Sequence, residues 1–288
     1  MFDLEDLRTF VEVADAGGLT PAARRLGLSK SIVSRRLVRL EKDLGVQLLS
    51  RTTRGAALTE AGATFREHAS RVAAEMDAAC DALLPEGDLR GRLRIAAPLT
   101  FGPAHVAPVL AELARRNPRL QVHAIYSDRF VDLIGEGFDA AVRVGYLPDS
   151  DLVVRRVAPL FGKLVASPGY LQLHGAPRTP DDLMDHEALM QGTETWRVMR
   201  QGKVAHVGVH GRFKADNGDA LLAAALAGLG IAALPDFLAD PHVASGALVQ
   251  LLVDFPLPEA GVYVVRPPGE FPPRKVRALI EIMVEKFT

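Results

Sequence analysis

Glycines at 17, 18, 27 and 45 divide the first 45 residues into three segments, and each segment carries apolar residues at helical spacing. Leu4, Leu7, Val11 and Ala14, with Phe10 beside them, describe a first helix that stops at Gly17-Gly18. The chain restarts at once. Thr20 suits an N-cap and Pro21 the first helical position, so a short helix over Pro21 to Leu26 follows, closed by Gly27 in the left-handed conformation. A third helix runs from about Lys30 to Leu44 and stops at Gly45. On it Val33, Leu37, Leu40 and Leu44 share one stripe, while the opposite face carries Ser31, Arg35, Val38 and Lys42, flanked by Ser34 and Arg39. A short helix, a glycine turn and a second helix with a basic, hydroxyl-bearing outer face make a helix-turn-helix, whose second helix has the size to enter a major groove.

The charge pattern agrees with this. From Thr20 to Arg54 nine basic residues (Arg24, Arg25, Lys30, Arg35, Arg36, Arg39, Lys42, Arg51 and Arg54) stand against Glu41 and Asp43, giving +7; the whole chain nets −1, so −8 is left for the remainder. A basic segment on an acidic bulk attracts polyanions at one face and limits sticking elsewhere.

After Gly45, Val46 to Leu49 reads as a strand, Arg51-Thr52-Thr53-Arg54-Gly55 as a turn and Ala56 to Leu58 as the return strand, a wing with Arg51 and Arg54 at its tip for phosphate or a narrow minor groove. Thr59 then caps a long helix reaching about Leu84, ended by Pro85 and Gly87. Its apolar seam repeats in heptads, with Gly62, Ala69, Met76 and Leu83 at one position and Phe65, Val72 and Ala79 at the other. Such a seam fits a coiled coil between two subunits; packing within the chain is the competing reading.

From Leu89 onward strands and helices alternate, which predicts a mostly parallel sheet with covering helices in an α/β domain. Strands are expected at Leu93 to Ala97, Leu120 to Tyr126, Ala140 to Val144, Leu164 to Ser167, Val204 to Phe213 and Ile231 to Leu234. Helices are expected at Phe101 to Arg116, Val131 to Gly135, Asp219 to Ala227 and Pro273 to Phe287. Ligands of open α/β sheets sit beyond the carboxyl ends of strands, near free backbone N–H groups. Here those places are Leu99, Thr100 and Phe101, then Ser127 and Asp128, then Val144, Gly145 and Tyr146, and in a second lobe Asp216, Asn217, Gly218 and Pro235. Thr100 is the first choice among them. Helix N-termini and a hydroxyl suit a small anion such as a carboxylate, and an apolar or neutral ligand fits nearly as well.

Several function classes lose support. The shares of hydrophobic residues, 48%, and charged residues, 24%, oppose a disordered chain. The longest uncharged apolar stretch, Leu221 to Leu234, is too short to span a bilayer and is broken by Gly228 and Gly230. Met1 to Leu7 holds Asp3, Glu5 and Asp6 without Lys or Arg, unlike a secretory leader, so a cytoplasmic protein is expected. The single Cys80 makes no intrachain disulfide. His206 and His210, the nearest histidine pair, sit in an alternating stretch that places them about 13 Å apart, too far to share a metal. No metal or cofactor is expected. An enzyme would need a strained serine turn, a phosphate-cradling glycine loop or a metal spacing, and none is recognisable. A transport-type solute receptor would not need the basic N-terminal unit.

The run from Thr20 to Gly62 resembles the LysR-type transcriptional regulator family. The resemblance rests on Thr20-Pro21-Ala22-Ala23-Arg24-Arg25-Leu26, Ser34-Arg35-Arg36-Leu37 through Leu40-Glu41, Leu44-Gly45, Leu48, Arg51, Thr52 and Leu58-Thr59-Glu60-Ala61-Gly62. Weaker matches follow at Pro98-Leu99-Thr100-Phe101-Gly102, Glu136-Gly137-Phe138-Asp139, Val142-Arg143-Val144-Gly145 and Gly228-Leu229-Gly230-Ile231 through Leu234-Pro235. The resemblance implies an N-terminal winged helix-turn-helix (residues 1–58), a dimerising linker helix and hinge (59–88), and a two-lobed α/β effector domain of the type II periplasmic-binding-protein kind (89–288). Lobe I would be about 89–163 with 259–288, and lobe II about 164–258. It further implies promoter DNA as one partner, a small-molecule inducer between the lobes as another, and dimers pairing into tetramers. DNA contact carries over to Lys30, Ser31, Ser34, Arg35, Arg51 and Arg54. The sequence departs from the family pattern at Lys30, where Gln is common, and at Ile32, where Ala or Pro is common.

Overall fold

The computed structural model describes residues 2–52, 55–83, 89–192, 195–269 and 271–287. It opens with α1 (Leu4–Ala16), α2 (Leu19–Leu26) and α3 (Lys30–Leu44), each closed by a glycine in the left-handed region, Gly17, Gly27 and Gly45. Asp3 caps α1 by accepting from the Asp6 N–H at 2.8 Å, and Ser29 caps α3 through the Ile32 N–H. One expected cap is displaced. The second helix starts at Leu19 with Gly18 as its N-cap, so Thr20 lies inside the first turn. Gly18 is extended at the cap and its carbonyl takes the Ala22 N–H, while Pro21, still within the first turn, has no N–H to lose.

Phe10, Val13, Val33, Leu37 and Leu40 are buried together between these helices. The wing is the antiparallel pair β1 (Leu49–Thr52) and β2 (Gly55–Leu58), in register from Leu49 opposite Leu58 to Thr52 opposite Gly55. It begins three residues later than the sequence suggests, because the N–H groups of Leu48 and Leu49 are both taken by the Glu41 carboxylate of α3. Arg51 is therefore a strand residue rather than a turn residue.

α4 (Glu60–Leu83) is capped by Thr59, whose hydroxyl accepts from the Gly62 N–H at 2.9 Å. A Cβ at Gly62 would stand 2.0 Å from the Leu48 carbonyl oxygen, which is why the helix can cross the wing so closely. The heptad seam divides. Gly62, Phe65 and Ala69 face the N-terminal core, whereas Val72 and Met76 are about half exposed. The expected hinge at Pro85 and Gly87 lies outside the described residues.

The next unit is a five-stranded sheet in the order β4-β3-β5-β14-β6, from β3 (Arg90–Ala97), β4 (Arg119–Tyr126), β5 (Ala140–Gly145), β6 (Val153–Leu160) and, from the far end of the chain, β14 (Ala260–Arg266). α5 (Ala107–Arg116), entered through a wide turn at Gly102–Val106, and α9 (Arg274–Phe287) cover one face. The second sheet has the order β11-β8-β12-β7-β13. It is built from β7 (Gly162–Ala166), β8 (Glu187–Met190), β11 (His210–Lys214), β12 (Ile231–Pro235) and β13 (Val249–Leu251), with a separate hairpin of β9 (Thr195–Arg200) and β10 (Lys203–Gly208). α6 (Pro168–His174), α7 (Gly218–Leu226) and α8 (Asp236–Ala244) complete this lobe. We refer to the two units as lobe I and lobe II.

Three expectations fail here. Both sheets are mixed rather than mostly parallel, since β14 runs antiparallel to β5 and β6, and β7 antiparallel to β12 and β13. Val131 to Gly135 forms turns, not a helix, because the Asp132 carboxylate takes the Ile134 and Gly135 N–H groups. Val204 to Phe213 breaks at Val209 into strands of two different sheets, which separates His206 from His210. Among the described residues no group of three metal-ligating side chains occurs, and no helix is long and apolar enough to cross a membrane.

Candidate nucleic-acid interface and interlobe site

The buried stripe of α3 turns Lys30, Ser31, Arg35 and Lys42 outward and leaves Ser34 half-buried. At its first turn the Ser29 and Ser31 hydroxyls are 2.9 Å apart and share a hydrogen bond, so Ser31 is oriented at the end of the helix that enters a groove first. The basic residues then sort into two sets. Arg36 bonds Glu5 and the Thr9 hydroxyl, Arg39 grips Asp6 at 2.5 and 2.6 Å and Asp3 at 3.0 Å, and Arg25 pairs with Glu12. The hydrogen bonds that Arg39 donates to Asp6, aided by the nearby carboxylates, hold its pKa above the ordinary value. These three cations staple α2 and α3 to α1. Arg24, Lys30, Arg35 and Lys42 are exposed and have no carboxylate partner among the described residues, which leaves them for an external anion. Arg51 stands in β1 opposite Ala56, and Arg54 lies outside the described residues.

Sequence periodicity put Arg35 on the outer face and Arg39 only at its flank, but the acids of α1 that take up Arg36 and Arg39 could not be read from it, since they depend on where α1 packs. Glu41 was also missed as the residue that pins the wing. Its signal was present, as one of only two acids in the basic segment.

In the effector region the ends of β3 and β4 meet the start of α7. The Leu99 N–H donates to Asp128 Oδ1 at 2.9 Å; across the lobes, Asn217 Nδ2 donates to Asp128 Oδ2 at 3.1 Å and to Thr100 Oγ1 at 3.2 Å. The Asn217 carbonyl oxygen meanwhile caps α7 by accepting from Ala220. Of the residues singled out at the strand ends, Leu99, Thr100, Asp128 and Asn217 come together in one place.

The others do not. The Ser127 hydroxyl accepts from the Arg129 N–H in its own turn. Val144 packs on the lobe I core, and Gly145 pairs with Gly261 in the sheet. Pro235 ends β12 and begins α8. Phe101 is buried, stacked on His105 at 4.5 Å and in edge contact with Phe237 of α8 at 5.3 Å. It is an aromatic wedge between lobes rather than a lining residue. Tyr146 carries the guanidinium of Arg197 over its ring at 4.6 Å, joining lobe I to the β9–β10 hairpin. Arg197 was not foreseen, because its partner Tyr146 lies about fifty residues away in the chain and local pattern does not bring the two together.

A winged helix-turn-helix joined by a long helix to a two-lobed α/β domain defines a DNA-binding regulator with a substrate-binding module. Comparison with known proteins agrees. The family model described as "Bacterial regulatory helix-turn-helix protein, lysR family" matches residues 4–63, and that of the "LysR substrate binding domain" matches residues 86–288. The HTH-type transcriptional regulator PtxR of Pseudomonas aeruginosa is 40% identical over 288 residues, covering 98% of this chain and 92% of its own. Among solved structures, CrgA, a LysR-type regulator from Neisseria meningitidis, superposes with a TM-score of 0.60 at 31% identity over 100% of this chain and 99% of its own. The Vibrio cholerae virulence activator AphB gives 0.60 at 28% identity over the full length of both chains. The chain belongs to the LysR family of transcriptional regulators.

Proposed function

We propose that the chain binds promoter DNA as a homodimer, and as a homotetramer when two dimers join, and that a small molecule held between its lobes sets its activity. The observation that carries the DNA reading is the sorting of the basic residues: those facing α1 are consumed internally, and those on the outer face of α3 have no carboxylate partner among the described residues. Lys30, Ser31 and Ser34 are assigned to base edges at the start of α3, and Arg35, Arg51 and Arg54 to phosphates. The bounds 1–58, 59–88 and 89–288 belong to the same proposal. A DNA-binding regulator works where the DNA lies, which is the cytoplasm of a bacterium.

Support for the dimer comes from apolar surface. Val72 and Met76 of α4 are exposed, and beside them an open groove of about 730 Å³ is lined by Leu44, Val46, Leu48 and Phe65. A second copy of α4 has the shape and chemistry to cover them.

The inducer is placed at the Thr100, Asp128 and Asn217 contact, because there a ligand can replace a bond between lobes and so shift their angle. Asp128 disfavours an anionic group beside it. The exposed guanidinium of Arg197, held over Tyr146, is the group that receives a carboxylate. Thermal shift of the full chain against a panel of small carboxylates, amines and neutral metabolites tests this. A ligand that raises the melting temperature of the parent chain, but not of Asn217→Ala or Arg197→Gln, supports the site; a ligand unaffected by both substitutions removes it. The chain is read as a binding protein rather than an enzyme, in line with relatives named as transcriptional regulators.

A further inference from the structure

Asp15, in the last turn of α1, has only 4% of its side chain exposed and is surrounded by arginines from two other parts of the chain. Its carboxylate lies 2.6 Å from Arg66 of α4, 2.6 Å from Arg92 of β3 and 3.3 Å from Arg94 of the same strand. One turn earlier, Glu12 takes the other terminal nitrogen of Arg92 at 3.1 Å. Arg66 also donates to the Glu136 carbonyl oxygen of lobe I, and Arg94 lies over the Phe138 ring at 4.7 Å. The acidic end of α1 is thus seated on an arginine patch of lobe I, with α4 completing the rim.

The contact is unevenly matched. Arg25, Arg66, Arg92 and Arg94 share two carboxylates; among the described residues Arg66 Nε and Arg94 Nε have no hydrogen-bond acceptor, and Arg94 Nη1 has only its 3.3 Å ion pair with Asp15, without hydrogen-bond geometry. Closed, the interface gains the clamp on Asp15 and leaves those donors unmet; opened, it gives them to water. A contact with large terms on both sides is easily tipped, and Asp15 is the acid on which three of the arginines converge.

We propose that Asp15 is a releasable latch that seats the DNA-binding domain of a chain on its own lobe I and thereby fixes the direction in which α3 points. Arg92 and Arg94 are its receiving residues. The strand that receives the latch ends at Ala97, roughly 16 Å beyond Arg92 at strand spacing, and Leu99 and Thr100 lie in the turn that follows, so latch and interlobe site flank the two ends of β3. The latch stands whether or not a ligand binds there.

The test is a distance measurement on the full chain. Spin labels at Gln47→Cys and Ala111→Cys, both exposed, are introduced with Cys80→Ser, and labelled protein is diluted into an excess of unlabelled chain so that single chains are read. Double electron–electron resonance should give one narrow distance, that of the seated arrangement. Asp15→Asn should cut that population by more than half and spread the remainder, as should Arg92→Gln, approached from the other side with a quarter of its side chain already exposed. Should Asp15→Asn fold poorly by circular dichroism, Arg92→Gln carries the test. A parent chain without the seated distance, or folded variants that keep it unchanged, would overturn the latch.

Discussion

Asn217 Nδ2 lies 3.1 Å from Asp128 Oδ2, and this bond ties the first turn of α7 in lobe II to the end of β4 in lobe I. The same side chain caps its own helix through its oxygen, so one amide both starts α7 and fastens the lobes. Replacing Asn217 by Ala should therefore cost about 0.5–2 kcal/mol for the cap, and it should also loosen the lobes. Urea unfolding reads the first effect and small-angle scattering the second. An unchanged scattering profile would mean that the interlobe bond does not hold the angle.

Arg35 and Arg36 are neighbours with opposite fates. Arg35→Ala should weaken binding to all DNA sequences and reduce the slope of log K against log salt by about 1, because one phosphate neutraliser is lost. Arg36→Ala breaks its contacts to Glu5 and Thr9 and should lower the melting temperature while leaving that slope in place. Titrations at four salt concentrations separate the two, and equal slopes for Arg35→Ala and the parent would contradict the assignment.

Ser31→Ala and Lys30→Ala should change which bases are preferred, with less effect on total affinity. Selection from a random duplex library reads this directly; a motif identical to the parent's in both variants would remove these residues from the base-reading set.

Gly62→Ala forces a methyl group into the Leu48 carbonyl oxygen at 2.0 Å, so α4 must move away from the wing. We expect a loss of about 1–3 kcal/mol in stability, as for other overpacked sites. Chemical denaturation checks it, and a neutral result would show that the helix and wing are not in contact.

His105, His123 and His186 are all held below the ordinary histidine pKa, first by burial in each case; Arg94 and Arg92 add to it at His123 and His174 at His186, while Asp236 opposes it at His105. Unfolded chains bind these protons more readily than the folded one, so stability is full above about pH 6.5 and is lost as pH falls below it. The melting temperature should drop between pH 7.5 and 5.5, and His186→Gln should flatten part of that drop. A rise over the same range would contradict the depressed histidine pKa values.

Much of the N-terminal domain was legible because its signals are local. Gly17, Gly27 and Gly45 end helices wherever they pack, and the apolar stripe of α3 faces inward in any compact arrangement. Thr20 misled because a glycine with no side chain can also cap a helix once its carbonyl is placed. The effector domain was harder. β14 joins β5 and β6 from more than a hundred residues away, and its antiparallel direction is decided by that return, which no nearby residue encodes. The unbroken alternation from Val204 to Phe213 likewise hid the break at Val209. Within the candidate site, Thr100, Asp128 and Asn217 were readable as strand-end and cap residues, while Arg197 and the Asp15 cluster depend on contacts between distant segments.

The role proposed for the outer face of α3 is recognition of particular promoter sequences. Selection of bound fragments from the source organism's DNA, at low and at near-physiological salt, tests it most directly. A short dyad-symmetric motif near promoters should be enriched and should persist at the higher salt. Binding without any enriched motif, vanishing as salt rises, would contradict it and leave only electrostatic attraction to DNA.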